Sequence, residues 1–150
     1  MINNKRLGFM SMFKIYSKGC EYAISALTQI SLKDLDQSFL AADICRKANL
    51  PEHSTRKALQ LLVGGGLLES VSGPGGGYKL SRDPRNISLL DIIKSIDGEN
   101  VFDHCVMGLS ECGLRNPCPV HNTWIRVKGK MLTEMKHKSL YELMTIGRKA

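Results

Sequence analysis

Three cysteines, Cys105, Cys112 and Cys118, fall in one fourteen-residue stretch, and His121 follows three positions after the last of them. Thiolates are soft donors, and a close set of them suits an iron-sulfur cluster or a zinc ion. The Cys-x6-Cys-x5-Cys spacing is wider than the paired knuckles of zinc ribbons, although Cys118 and His121 form a close Cys-x2-His pair. Spacing alone leaves both metals open. Glycines and prolines interrupt the stretch, so the cysteines are expected on a loop. Cys20 and Cys45 sit on helical patterns away from it and read as small buried hydrophobes.

A second chemistry-bearing run is His53, Ser54, Thr55, Arg56 and Lys57. Its donors and acceptors suit base edges and phosphates: arginine can read guanine with two parallel hydrogen bonds, and a lysine serves a phosphate as a point charge. Two adjacent cations are ordinarily a solvated helix face. Here they follow a tight turn and precede the glycine-rich run SGPGGGYKL, where Gly75, Gly76 and Gly77, beside Tyr78 and Lys79, would let backbone amides approach a phosphate or the minor groove.

Positioning these groups requires particular elements. Apolar spacing predicts a first helix over 17–30, a second over 40–48 capped by Ser38, and a third over 52–63 opened by Pro51. Gly64 to Gly66 end the third helix, and 67–71 and 78–80 pair as a hairpin. Ser88 and Asp91 have capping-box spacing at the head of a fourth helix that stops at Gly98. A long basic helix from Pro119 to about Met144 carries Val120, Trp124, Val127, Met131, Met135, Leu140 and Leu143 near one stripe. So long a stripe in so small a chain predicts packing on a second copy, with Trp124 as an anchor.

The chain has 150 residues and a formal net charge of +7. Residues 1–85 hold 12 Lys/Arg against 7 Asp/Glu, and 86–150 hold 9 against 7, so the excess lies beside the helix pair and hairpin. That balance points to a polyanionic partner. No apolar run approaches a membrane span and no secretory pattern opens the chain, so a cytoplasmic protein without a membrane partner is expected. In a reducing cytosol clustered cysteines are metal or redox groups rather than disulfides. No nucleotide-binding glycine loop or nucleophile-base arrangement suggests an enzyme.

Three helices and a glycine-tipped hairpin describe a winged helix, whose helix after the tight turn enters the major groove of double-stranded DNA. YSKGCEYAISAL, RKALQLLVGGGLLES, SGPGGGYKLSR and LLDIIKSIDG, together with the three-cysteine loop, resemble the Rrf family of winged-helix regulators over residues 13–143. The resemblance implies a mainly α fold with a small β-hairpin wing: an N-terminal extension (1–12), a winged helix-turn-helix domain (13–98), a cluster-binding loop (99–118) and a dimerisation helix with tail (119–150). It implies that Cys105, Cys112 and Cys118 hold an iron-sulfur cluster. The fourth ligand is His121, as in [2Fe-2S] members, or Glu21 from the partner subunit; the local Cys118–His121 pair favours His121 and [2Fe-2S] over [4Fe-4S]. Ser72 departs from the family, which often has a minor-groove arginine there. The expectation is a homodimeric transcription regulator that binds an operator and senses redox, iron-sulfur or nitric oxide status. A zinc-stabilised repressor and an iron-sulfur electron carrier are the alternatives.

Overall fold

The computed structural model describes residues 15–146; the extension expected over 1–12 and the tail beyond 146 lie outside the described residues. Helix α1 (Lys18–Leu27) starts where the Ser17 side chain accepts from the Cys20 amide, and it buries Cys20, Ala23, Ala26 and Leu27. Three of these four are small, so α1 packs closely on α3 (Glu52–Gly64), which turns Ala58, Leu59 and Leu62 inward. Each fully buried leucine there contributes roughly 1.5–3 kcal/mol of apolar transfer. Helix α2 (Ala41–Ala48) closes at Asn49 in the left-handed conformation, which asparagine tolerates, and Pro51 is the N-cap of α3. The helix-turn-helix therefore forms as read, with one correction. Ser38 does not cap α2: its hydroxyl donates to the Gly75 carbonyl at 2.6 Å, and the N-cap is Leu40, without a side-chain bond.

The reason lies in Phe39, whose backbone is recruited by the wing. Strands β1 (Leu68–Val71) and β2 (Gly77–Leu80) pair antiparallel, Leu68 opposite Leu80 and Val71 opposite Gly77. Phe39 adds an isolated bridge on the far side of β2, donating to the Tyr78 carbonyl at 2.7 Å and accepting from the Tyr78 amide at 2.9 Å. The Tyr78 hydroxyl accepts from Gln60 of α3 at 2.9 Å. The wing is thus tied to α3 and to the segment that leads into α2.

Helix α4 (Leu89–Asp97) opens with the expected Ser88–Asp91 capping box and ends at Gly98, burying Ile92 and Ile93. The long C-terminal helix differs from its expected extent. It forms α5 over His121–His137, breaks at Lys138 and Ser139, and resumes as α6 (Leu140–Ile146). Leu140 and Met144 are fully buried in the same core as Ile87, Ile92 and Leu59, rather than continuing the α5 stripe. The break is fixed by pairing: Ser88 and Ser139 form an antiparallel bridge, Leu89 N donates to the Lys138 carbonyl at 2.9 Å, and Leu140 N donates to the Ile87 carbonyl at 2.7 Å. None of the described helices is long and apolar enough to cross a membrane.

Candidate metal centre and nucleic-acid interface

The cysteine loop is held at both ends by the first two turns of α5. At its entry the Trp124 indole N–H donates to the His104 carbonyl at 3.3 Å, and Lys128 Nζ donates to the carbonyl of buried Phe102 at 2.9 Å. At its exit the His121 amide donates to the Cys118 carbonyl at 3.0 Å. Cys105 follows the first anchor and Cys118 precedes the second, so their sulfurs approach to 3.8 Å. Cys112, between them, accepts from the Cys118 amide at 3.4 Å. The three Sγ atoms lie within 4.8 Å of one another, with Cys118 the most enclosed of the three. The three cysteines that the sequence offers as candidate ligands are thus brought together; Lys128 is not singled out by the sequence, and Trp124, expected there as a dimer anchor, bonds the loop as well. Only the spacing of these two from the loop, on one helical face of α5, signals the anchors.

His121 Nδ1 stands 3.3 Å from Cys112 Sγ, so the structure brings the histidine beside one of the three cysteines within one chain. Glu21 lies on α1, ion-paired with Lys18 at 2.6 Å, and is not part of the sulfur group. Cys20 and Cys45 are buried, as expected of packing residues. Three thiols converging, with an imidazole beside one of them and no carboxylate in the group among the described residues, fit an iron-sulfur cluster, and also zinc.

The thiols differ in reactivity. Backbone hydrogen bonds, that of Leu109 first and then that of Met107, bring Cys105 down to about 7. At Cys112 the Cys118 amide pulls downward, but burial and the neighbouring sulfurs of Cys105 and Cys118 hold the thiol above its ordinary value. Burial, aided by Asp97 and Glu21, pushes Cys20 up to about 12. Since the thiolate is the nucleophile, iodoacetamide at pH 7 should label Cys105 of metal-free protein first and Cys20 last, as read by peptide mass spectrometry. Equal labelling of the two would contradict this.

On α3, Glu52, His53, Ser54, Arg56 and Lys57 all face solvent. Thr55 does not: it is fully buried and its hydroxyl donates to the Pro51 carbonyl at 2.8 Å, which removes it from the presented set. Arg56 donates through Nε to Glu52 Oε1 at 2.8 Å, with Nη2 2.7 Å from the same oxygen, a contact that raises the guanidinium above its usual value. In the wing, Gly75 is exposed at the tip, Lys79 is half-exposed, and Gly76 and Tyr78 are buried. At Gly77 a Cβ would overlap the Phe39 carbonyl. Gly76, Gly77 and Tyr78, expected near DNA, therefore also hold the wing together, and the tip itself is Gly75.

A helix-turn-helix with an exposed polar second helix, braced by a hairpin, defines a winged-helix DNA-binding protein. Residues 16–146 match the model of the Rrf2 family, described as an iron-dependent transcriptional regulator, and the chain belongs to that family. It is 30% identical over 132 residues to the HTH-type transcriptional regulator IscR of Vibrio parahaemolyticus, covering 88% of this chain and 77% of that protein. An HTH-type transcriptional regulator of Aquifex aeolicus is 28% identical over 137 residues, 90% of this chain and 94% of its own length. Among solved structures, CymR, the global cysteine regulator of B. subtilis, superposes with a TM-score of 0.70 at 22% identity, covering 87% of this chain and 95% of that one. IscR of T. potens gives 0.69 at 22% identity, covering 91% and 90%. The chain is a transcriptional regulator of the Rrf2 type, with a winged-helix fold.

Proposed function

We propose that this regulator is a cytoplasmic homodimer whose operator affinity responds to an iron-sulfur cluster, [2Fe-2S] in preference to [4Fe-4S]. The observation that carries this reading is the convergence of Cys105, Cys112 and Cys118 within 4.8 Å of one another, on the segment that leads from α4 into α5. Cys105, Cys112 and Cys118 would hold the cluster, with His121 or Glu21 of the partner subunit as fourth ligand. When bound, the cluster supplies a centre whose charge and occupancy follow redox state, iron supply or nitric oxide.

The chain's own residues do the rest. Trp124 and Lys128 couple the loop to α5, so the position of α5 and the fold of the loop are one mechanical variable. Val120 and Val127, seven positions apart and so on one face at the head of α5, are 40% and 53% exposed, apolar surface that a second copy would cover. In a dimer the two α3 helices would meet successive major-groove half-sites, and the spacing between them is what a shifted α5 would change. His53, Ser54, Arg56 and Lys57 would face the bases and phosphates, with Gly75 and Lys79 at the wing.

Protein purified without oxygen should be coloured, with visible absorbance that bleaches on reduction, and should bind its operator with different affinity once the cluster is removed, at fixed salt. Equal affinities would overturn the sensing reading, and colourless protein with stoichiometric zinc would select the zinc-stabilised repressor. On the DNA side, Arg56→Ala should change base preference in a randomised-site selection. Lys57→Ala should weaken all sequences alike and lower the salt slope by about one phosphate contact.

A further inference from the structure

Arg56 and Lys57 are neighbours on α3, yet they are held differently. Lys57 is exposed and no ion pair with it occurs among the described residues, whereas Arg56 is tied by two of its nitrogens to one oxygen of Glu52, a turn earlier. The geometry specifies which edge of the guanidinium is used. Nε and Nη2 form the side edge of the planar fork, and both point at Glu52 Oε1. The end edge, formed by Nη1 and the second hydrogen of Nη2, is left to solvent, and the side chain is still 49% exposed. Two parallel donors on one edge are what guanine O6 and N7 require.

Glu52 is itself well placed to hold this arrangement. It is the first residue of α3, and its N-cap, Pro51, offers no side chain to the free amides of the first turn. A carboxylate there is favoured by the helix dipole, so Glu52 is anchored from behind while it grips Arg56 in front. At a solvated surface such a pair contributes little to stability. Once a DNA groove excludes water, the same contact fixes the rotamer of a long side chain before it meets the base.

We propose that Glu52 is a specificity-determining positioning residue: it locks the Arg56 fork with its end edge outward, so that Arg56 reads one guanine in each half-site. This rests on the DNA-reading role assigned to α3. Glu52 also sets a negative charge near the phosphates, which penalises every sequence and is outweighed only where Arg56 finds its guanine.

The test is a randomised-site selection with full-length protein, followed by affinities for the selected site and for its single-base variants at fixed salt. Glu52→Gln and Glu52→Ala should each reduce the preference for guanine at one position per half-site by about 10-fold. They should also raise affinity for unrelated DNA several-fold, and thermal unfolding should show both variants folded. Glu52→Asp, which keeps the charge, should restore part of the preference. Glu52→Ala in an Arg56→Ala background should change that position no further, because the acid acts through the arginine. If the parent selects a site and Glu52→Gln keeps its guanine preference, the positioning role is wrong while the DNA-reading role stands. If the double variant loses more preference than Arg56→Ala alone, Glu52 reads a base by itself and the positioning role is again wrong. If the parent selects no sequence, the DNA-reading role falls, and this inference with it.

Discussion

Replacing Cys105, Cys112 or Cys118 singly by alanine is expected to abolish the visible absorbance of anaerobically purified protein while leaving its helical circular dichroism intact. The loss should be complete for each, because three sulfurs within 4.8 Å of one another form a single donor set and no other cysteine is near enough to substitute. Cys20 and Cys45 are buried in the helical body, so their alanine variants should stay coloured. The fold should survive the loop substitutions because, of the stretch between α4 and α5, only Val101 and Phe102 pack on the core. A coloured Cys112→Ala protein would contradict the assignment. His121→Ala should alter the absorption and magnetic-resonance spectra without abolishing colour, given that its Nδ1 already stands 3.3 Å from Cys112 Sγ. An unchanged spectrum in His121→Ala with a changed one in Glu21→Ala would transfer the fourth position to Glu21 of the partner subunit.

Gly77→Ala is expected to destabilise the fold by about 3 kcal/mol or more. Gly77 has a φ of 135°, a conformation that L side chains rarely adopt, and a Cβ there would overlap the Phe39 carbonyl oxygen. Neither side can yield cheaply. The obstructing atom is backbone, and it accepts the Tyr78 amide in the two-bond bridge that fastens the wing to the segment before α2. Relieving the overlap breaks that bridge and loosens Tyr78, which is 5% exposed and also bonded to Gln60. Urea unfolding would measure the loss, and a midpoint equal to that of the parent would show that the wing accommodates a side chain there. By contrast, Gly75→Ala at the open tip meets no atom within 4 Å, so its cost is confined to its φ of 73°.

How much of this was legible in the sequence depended on the range of the interactions involved. The third and fourth helices, the Ser88–Asp91 capping box and the hairpin rest on local periodicity and turn chemistry, and they form where expected. Ser38 was misread because a serine before a helix has the form of a cap, and nothing local shows that Gly75, 37 positions away, takes its hydroxyl instead. Leu140 failed for the same reason. Its spacing continues the α5 stripe, but the pairing of Ser139 with Ser88 diverts it into the winged core. At the site, residue type pointed to the three cysteines and His121. Thr55 shows the limit of type alone, since a threonine among exposed polar neighbours can turn inward when a carbonyl one turn earlier accepts it.

The bridge at Ser88 and Ser139 also has a mechanical meaning. It pins the far end of α5 to the head of α4 through two short backbone bonds, while the near end is joined to the cysteine loop. If α5 answers the loop as proposed, it acts as a stiff arm with its fulcrum at Ser139. Seventeen residues make it about 26 Å long, so a displacement of about 2 Å at Cys118 swings it by about 4°. The cysteines sit at the end of the arm where a small force has the greatest torque, and the winged body carries the hinge.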